Sequence, residues 1–301
     1  MGRQNFREIL MHPAPSIIIF TVFSGLGFGL MAYLGFDTDP LRGWNVLPYY
    51  LIAFSLSIGG LLSSLFHLGN PQRAWRALSQ WRTSWLSREG VLAIVTLALN
   101  FLFGLSLFFS LDYSKNLGFV SGIFAIITVF STAMIYAQMK TVPRWNNSGV
   151  PILFILCSLA GGAIIMGDFK LGLIGVILST VIQLLVWVRG DKALKNSSTN
   201  ISTSTGLKNL GKLRLLESPH TGENYLMKEM VFVIARKHVF KLRILSLCFL
   251  GVIPVIFLIL SLSVGFLIGL AMISYFFGLL ISRWLFFAEA EHVVSFYYGR
   301  G

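Results

Sequence analysis

The chain has 301 residues, of which 55% are hydrophobic and only 12% charged, with a mean hydropathy of +0.75; an ordinary soluble domain carries about 25% charged residues, so that class is excluded. Its apolar runs are continuous and do not alternate with period two, which excludes a transmembrane β-barrel. The formal charge of +12, from 24 Lys and Arg against 12 Asp and Glu, would suggest nucleic acid in a soluble protein, but these cations fall in the loops between apolar runs, as in a membrane protein.

Apolar runs and their breakers predict helices over Ser16 to Gly35, Leu47 to Phe66, Gly90 to Leu111, Leu117 to Ala137, Val150 to Gly167, Leu171 to Val188, Ile244 to Leu262 and Val264 to Phe287. The expected fold is therefore an all-α integral membrane protein, a bundle of eight transmembrane helices forming one membrane domain over 1–301. The first run is expected to stay as a signal anchor, since no small-residue cleavage site follows it. The start, Met1 to Phe6, also lacks the Ser or Thr that myristoylation requires. Leu245 to Ile281 is free of charge over 37 residues, about 55 Å as a single helix, so the chain must turn back within it, near Ser261 to Gly265. Gly167-Asp168-Phe169-Lys170 forces a similar turn, because a charged pair is more easily left at the water interface than buried. Pro254 is a kink candidate.

Eight spans place both termini and the second, fourth and sixth loops on one side, with 20 Lys and Arg against 3 on the other. That bias predicts cytoplasmic termini; basic loops facing an acidic partner would give the same count. The sixth connection, 190–243, divides into a flexible Ser/Thr-rich linker over 196–205 and a basic amphipathic helix over about 223–243. In that helix Leu226, Met230, Val233 and Phe240 lie at helical spacing among Lys228, Arg236, Lys237 and Lys241, a pattern that suits a helix lying in the interface, or an entry helix for the seventh span.

Cys157 and Cys248 lie far apart in separate apolar runs, so no iron–sulfur ligand spacing exists in this chain. His12, His67, His220, His238 and His292 all fall outside the middles of the spans, which argues against a haem held by axial histidines. Charges inside the spans are nearly absent, which argues against a small-solute transporter. Arg283, close to Glu289, Glu291 and His292 near a span end, is expected to snorkel or pair locally. Gly25-x-x-x-Gly29 and Gly265-x-x-x-Gly269 offer small faces for close helix approach.

The densest constellation runs from His67 to Gly90: His-Leu-Gly-Asn-Pro-Gln-Arg-Ala-Trp-Arg-Ala-Leu-Ser-Gln-Trp-Arg-Thr-Ser-Trp-Leu-Ser-Arg-Glu-Gly. Trp75, Trp81 and Trp85 interleave with Arg73, Arg76, Arg82 and Arg88, placing amphipathic rings beside cations at headgroup depth. Read as anchoring alone, Ser87 would cap the third span and Glu89 would complement its helix dipole. Read as chemistry, His67 and Glu89 close the loop from opposite ends and would accept the two protons that a quinol releases with its two electrons, within aromatic walls open to the lipid.

This loop, together with Tyr136 to Asn146, Glu217 to Met230 and Phe286 to Val294, resembles the membrane anchor subunit of the dimethyl sulfoxide reductase family over nearly the whole chain. The specific motif is His-Leu-Gly followed by Ser-Trp-Leu-Ser-Arg-Glu, with His67 and Glu89 22 positions apart. The resemblance implies a haem-free subunit, with no iron–sulfur cluster of its own, in the bacterial cytoplasmic (inner) membrane. It would hold an iron–sulfur electron-transfer subunit and a molybdopterin catalytic subunit there, passing them electrons from menaquinol or ubiquinol in anaerobic respiration. It carries the quinol-site role to His67 and Glu89. Arg73, Arg82 and Arg88 are neighbours by proximity only. A purely structural tether, with no quinol site, is the alternative. The implied partners are those two subunits and membrane lipid, with no nucleic acid and no metal ligated by this chain.

Overall fold

The computed structural model describes residues 14–67, 70–111, 115–196 and 233–293, with the isolated positions 203 and 206; at 67, 115, 194–195 and 233–237 the backbone alone is described. The described residues are helical and contain no strand. Helix α1 is Pro15–Phe36, α2 Leu47–Ser63, α3 Trp85–Phe108, α4 Lys115–Ala137, α5 Gly149–Ile165 and α6 Phe169–Asn196. Helix α7 begins as Val233–Leu247, passes through one π turn, Cys248–Val252, and resumes as Ile253–Ser261; α8 is Leu267–Ala288. Seven of these are long and apolar enough to cross a membrane, and α5, at 17 residues, is a shorter apolar helix. All eight expected runs are thus helical.

Their boundaries follow from local chemistry. Pro15 and Pro48 sit in the first turns of α1 and α2, where a missing N–H costs nothing. The turn between α5 and α6 uses Gly167 at φ +80, and the Asp168 carboxylate accepts the Leu171 N–H at 2.9 Å as a cap while the Tyr33 hydroxyl donates to it at 2.8 Å. The chain leaves α7 after Ser261 and re-enters helix at Leu267, where the turn was expected. The π turn ends two residues before Pro254, which lacks an N–H and whose ring would crowd the carbonyl four residues back, inside that turn. Across the interface the Ser274 hydroxyl donates to the Phe249 carbonyl at 3.0 Å, satisfying an oxygen at the irregular turn.

Three boundaries differ from expectation. Helix α3 starts at Trp85, five residues before Gly90, because Trp, Leu, Ser and Arg there form an amphipathic first turn instead of an apolar one. Helix α6 continues past Val188 to Asn196, with Arg189 and Asp191 on its polar end. The expected amphipathic helix begins, within the described residues, at Val233 and is continuous with α7; its part over 223–232 and nearly all of the Ser/Thr-rich linker lie outside the described residues.

Helix α1 is the axis of the bundle, packing against α2, α4 and α5 and more lightly against α8. Its small residues permit this: a Cβ on Gly29 would collide with the Ser158 backbone, and one on Gly162 with the backbone of Gly29. Gly25 and Gly29 therefore do form a close-packing face, whereas a Cβ added to Gly265 or Gly269 would meet no neighbouring element within 4 Å. That second motif falls where the chain turns, outside the packed interior.

Candidate functional site

The constellation between α2 and α3 folds back on the helix it precedes. The Ser63 hydroxyl donates to the Gly60 carbonyl at 2.6 Å and to the Ser16 carbonyl at 3.1 Å, holding the end of α2 to the start of α1. A short 3-10 turn, Ser64–His67, follows, then a second 3-10 segment, Pro71–Gln80. The His67 side chain, Leu68 and Gly69 lie outside the described residues, so the expected His67–Glu89 pairing has no described geometry. Leu78 lies over Gly90, where an added Cβ would meet its Cδ2 at 2.6 Å, and the Ser87 hydroxyl donates to the Ala77 carbonyl. Ser87 is therefore no cap for α3; it ties the preceding segment to that helix, and Ser84 occupies the cap position without a side-chain bond.

The arginines divide by role. Arg88 lies 4.5 Å over Trp85 and donates from Nε to the Trp81 carbonyl at 3.1 Å and from Nη2 to the Arg82 carbonyl at 2.6 Å, closing the loop. Arg76 and Arg82 stack over Trp75 and Trp81, each at 5.5 Å, and Arg73 is exposed. Trp75 is 67% exposed and Trp81 52%, so these rings face outward as an interfacial belt. Of the three expected neighbours, Arg88 is committed to backbone carbonyls and Arg73 and Arg82 lie on the outer surface.

Glu89 points the other way. It sits in the second turn of α3, is 4% exposed, and accepts a hydrogen bond from the Thr132 hydroxyl of α4. No cation among the described residues forms an ion pair with it. It is the outermost rung of a polar seam between α3 and α4, continued inward by Thr96 against Thr128 at 2.8 Å and by the Asn100 amide donating to the Ser121 carbonyl at 3.4 Å. A dipole-complementing surface carboxylate would be solvated; this one is enclosed. Sequence reasoning found Glu89 but missed Thr132, whose signal was its place with Ser121, Thr128 and Tyr136 on one face of α4.

One turn beyond Thr132, Tyr136 is ringed by Trp145, Phe154, Phe286 and Phe287, with centroids 5.3 to 6.1 Å away. The Trp145 indole donates to the Phe286 carbonyl at 2.9 Å, and the Val293 N–H to the Thr141 carbonyl at 2.9 Å. Two of the singled-out stretches, Tyr136 to Asn146 and Phe286 to Val294 as far as Val293, thus come together; Val294 and Glu217 to Met230 lie outside the described residues.

Behind that aromatic cage, four charges close a neutral ring. Arg144 binds Glu289 at 2.9 Å and Asp191 at 2.8 Å, while Arg243 binds Asp191 at 2.6 Å and the same Glu289 carboxylate. Arg243 also stacks on Trp187 at 5.2 Å. The ring gathers the α4–α5 loop, the end of α6, the start of α7 and the end of α8 on one face, in agreement with the expected alternation of loops. Glu289 therefore does not pair with Arg283, contrary to the expectation of local pairing. Nor does Arg283 snorkel: it is 3% exposed, with its guanidinium 3.4 Å above the Phe154 ring. No group of three or more metal-ligating side chains occurs among the described residues.

The model of the family described as DMSO reductase anchor subunit (DmsC) matches residues 11–289. The protein is 32% identical to the sulfite dehydrogenase C subunit of Allochromatium vinosum, over 96% of this chain and 99% of that protein. It is 28% identical to the C component of the anaerobic dimethyl sulfoxide reductase of Escherichia coli, over 53% of this chain and 58% of that one. No solved structure matches it significantly.

Proposed function

The protein belongs to the family of DMSO reductase anchor subunits, and from that premise we propose that it is a quinol-oxidising anchor, with Glu89 as the buried proton acceptor. The observation that carries this reading is a carboxylate enclosed at the edge of a membrane helix with one hydroxyl donor, Thr132, and no cation paired to it among the described residues. A carboxylate without a countercharge in apolar surroundings retains the capacity to take a proton, and an intramembrane ionisable group is a functional group by default.

In this reading a menaquinol or ubiquinol ring lies between the His67 turn and Glu89. Its oxidation to quinone releases two electrons and two protons. The electrons pass to a cluster of an iron–sulfur partner subunit and on to a molybdopterin catalytic subunit. The protons go to Glu89 and His67, which stand on the loop side nearest water. Thr132 orients the carboxylate, and Arg88, by clamping the carbonyls of Trp81 and Arg82, fixes the loop that precedes it. Arg73 and Arg82, on the outer surface, meet headgroups or the partner. The relatives include a reductase component and a dehydrogenase component, and the same carboxyl would return its proton to quinone when current runs the other way. The basic loops, the tails and this site lie on the cytoplasmic side of the inner membrane.

The test is quinol oxidation by the assembled complex carrying Glu89→Gln. Loss of turnover with normal assembly is expected. Unchanged turnover would sink the site and leave a structural tether. His67→Ala in the same assay reports on the second acceptor.

A further inference from the structure

Arg283 lies five residues before the end of α8, enclosed on all sides. A guanidinium carries five N–H donors in its plane and no acceptor. Phe154 covers the face of this one, and ring contact does nothing for the donors at the edge. Its Nε and Nη1 are fully buried and have no hydrogen-bond partner among the described residues. The nearest acid in sequence on the charged face, Glu289, is held by Arg144 and Arg243. A cation left in this state inside a membrane bundle is far costlier than one whose edge is solvated.

Two cavities supply what the protein partners do not, and Arg283 lines both. The outer one, of about 10 Å³, is bounded by Gln183, Ser282, Arg144 and Glu289 and leads toward the four-charge ring. The inner one, also about 10 Å³, is bounded by Thr21, Gly25, Cys157 and Ser158, near the middle of α1 and α5. Each is about the size that holds one water. Each also offers the polar partners a water needs. The Thr21 hydroxyl donates to the Ile17 carbonyl at 3.0 Å, which leaves its oxygen free to accept, and Ser158 stands opposite. Gly25 keeps this space open, since a Cβ there would stand 3.0 Å from the Ser158 hydroxyl.

We propose that the guanidinium edge of Arg283 binds water on both sides, making a hydrated inlet from the charged face to the middle of the bundle, with a fixed positive charge that repels cations along it. The ligand is water, and the site stands independently of the quinol reading.

Radiolytic footprinting of the whole complex in ¹⁸O water tests this. Hydroxyl radicals formed from bound water label the side chains that touch it, while dry buried side chains stay unlabelled. Cys157, buried on the inner cavity, is expected to take up ¹⁸O, and Met31, equally buried and lining neither of these two cavities, is expected to stay clean. Gly25→Ala, which fills the inner cavity and keeps the charge, should abolish Cys157 labelling, as should Arg283→Met if that variant assembles. Cys157 as clean as Met31 in the wild-type protein would overturn the proposal, and so would Cys157 labelling that survives Gly25→Ala.

Discussion

Glu89 and Glu289 are both buried carboxylates near the same face of the bundle, and they live in opposite circumstances. Glu289 accepts from two arginines drawn from loops and helices far away in sequence, within a ring whose formal charges cancel. Glu89 has one neutral hydroxyl and no cation among the described residues. A carboxylate gripped by two arginines serves as a fastener. One held by a threonine alone is the carboxylate that the proposed function makes a proton acceptor. Under the proposed function, the end of α8 serves architecture and the start of α3 serves chemistry.

Substitution should separate the two. Glu89→Gln preserves shape and the Thr132 contact, so quinol turnover should fall by about 10²- to 10⁴-fold, the usual range for a lost acid–base group, with unfolding unchanged. Glu289→Gln should do the reverse. Leaving two arginines short of their buried acceptor should cost about 3 kcal/mol of stability, read as a lower denaturation midpoint in detergent. If Glu289→Gln lowers turnover without lowering the midpoint, the division fails. Thr132→Val removes the one donor to Glu89 and should lower turnover by about tenfold, near the cost of one hydrogen bond to a charged group. Asp191 shares the ring with Glu289 but its side chain is 44% exposed, so Asp191→Asn should cost under about 1 kcal/mol.

The smallest effect concerns pH. Burial holds the His292 imidazole below its ordinary pKa by disfavouring the charged form. Its contribution to stability is therefore complete above the unfolded value of about 6.5 and declines as the pH falls through the depressed folded one. His292→Gln should flatten that acid-side decline in a denaturation series from about pH 7.5 to about pH 5, the range that brackets the imidazole titration.

The spans were legible because hydrocarbon demands long uncharged runs, and every such run is a helix. Amphipathic turns were not: Trp85 begins α3 because the loop before it folds back and the Ser87 hydroxyl finds the Ala77 carbonyl, a contact with no apolar signature. Two GxxxG motifs looked alike in sequence, yet only Gly25 and Gly29 meet a neighbour, since the second sits at a turn. Glu89 was legible through the loop motif, and Thr132 was not, because its contact spans 43 positions. The fate of Arg283 was hidden for the converse reason. Its neighbour Glu289 suggested a local pair, while the arginines that claim that carboxylate lie 145 and 46 positions away.

The four-charge ring also carries a consequence for biogenesis. Arg144, Asp191 and Arg243 are synthesised before the carboxylate that completes them, and without Glu289 two cations face a single anion. Helix α8 is the last of the described spans to emerge, and its arrival neutralises the ring while the Trp145 indole binds the Phe286 carbonyl in its last turn and the Thr141 carbonyl accepts from the Val293 N–H beyond it. A bundle stalled before α8 would therefore carry one unmatched positive charge at its edge.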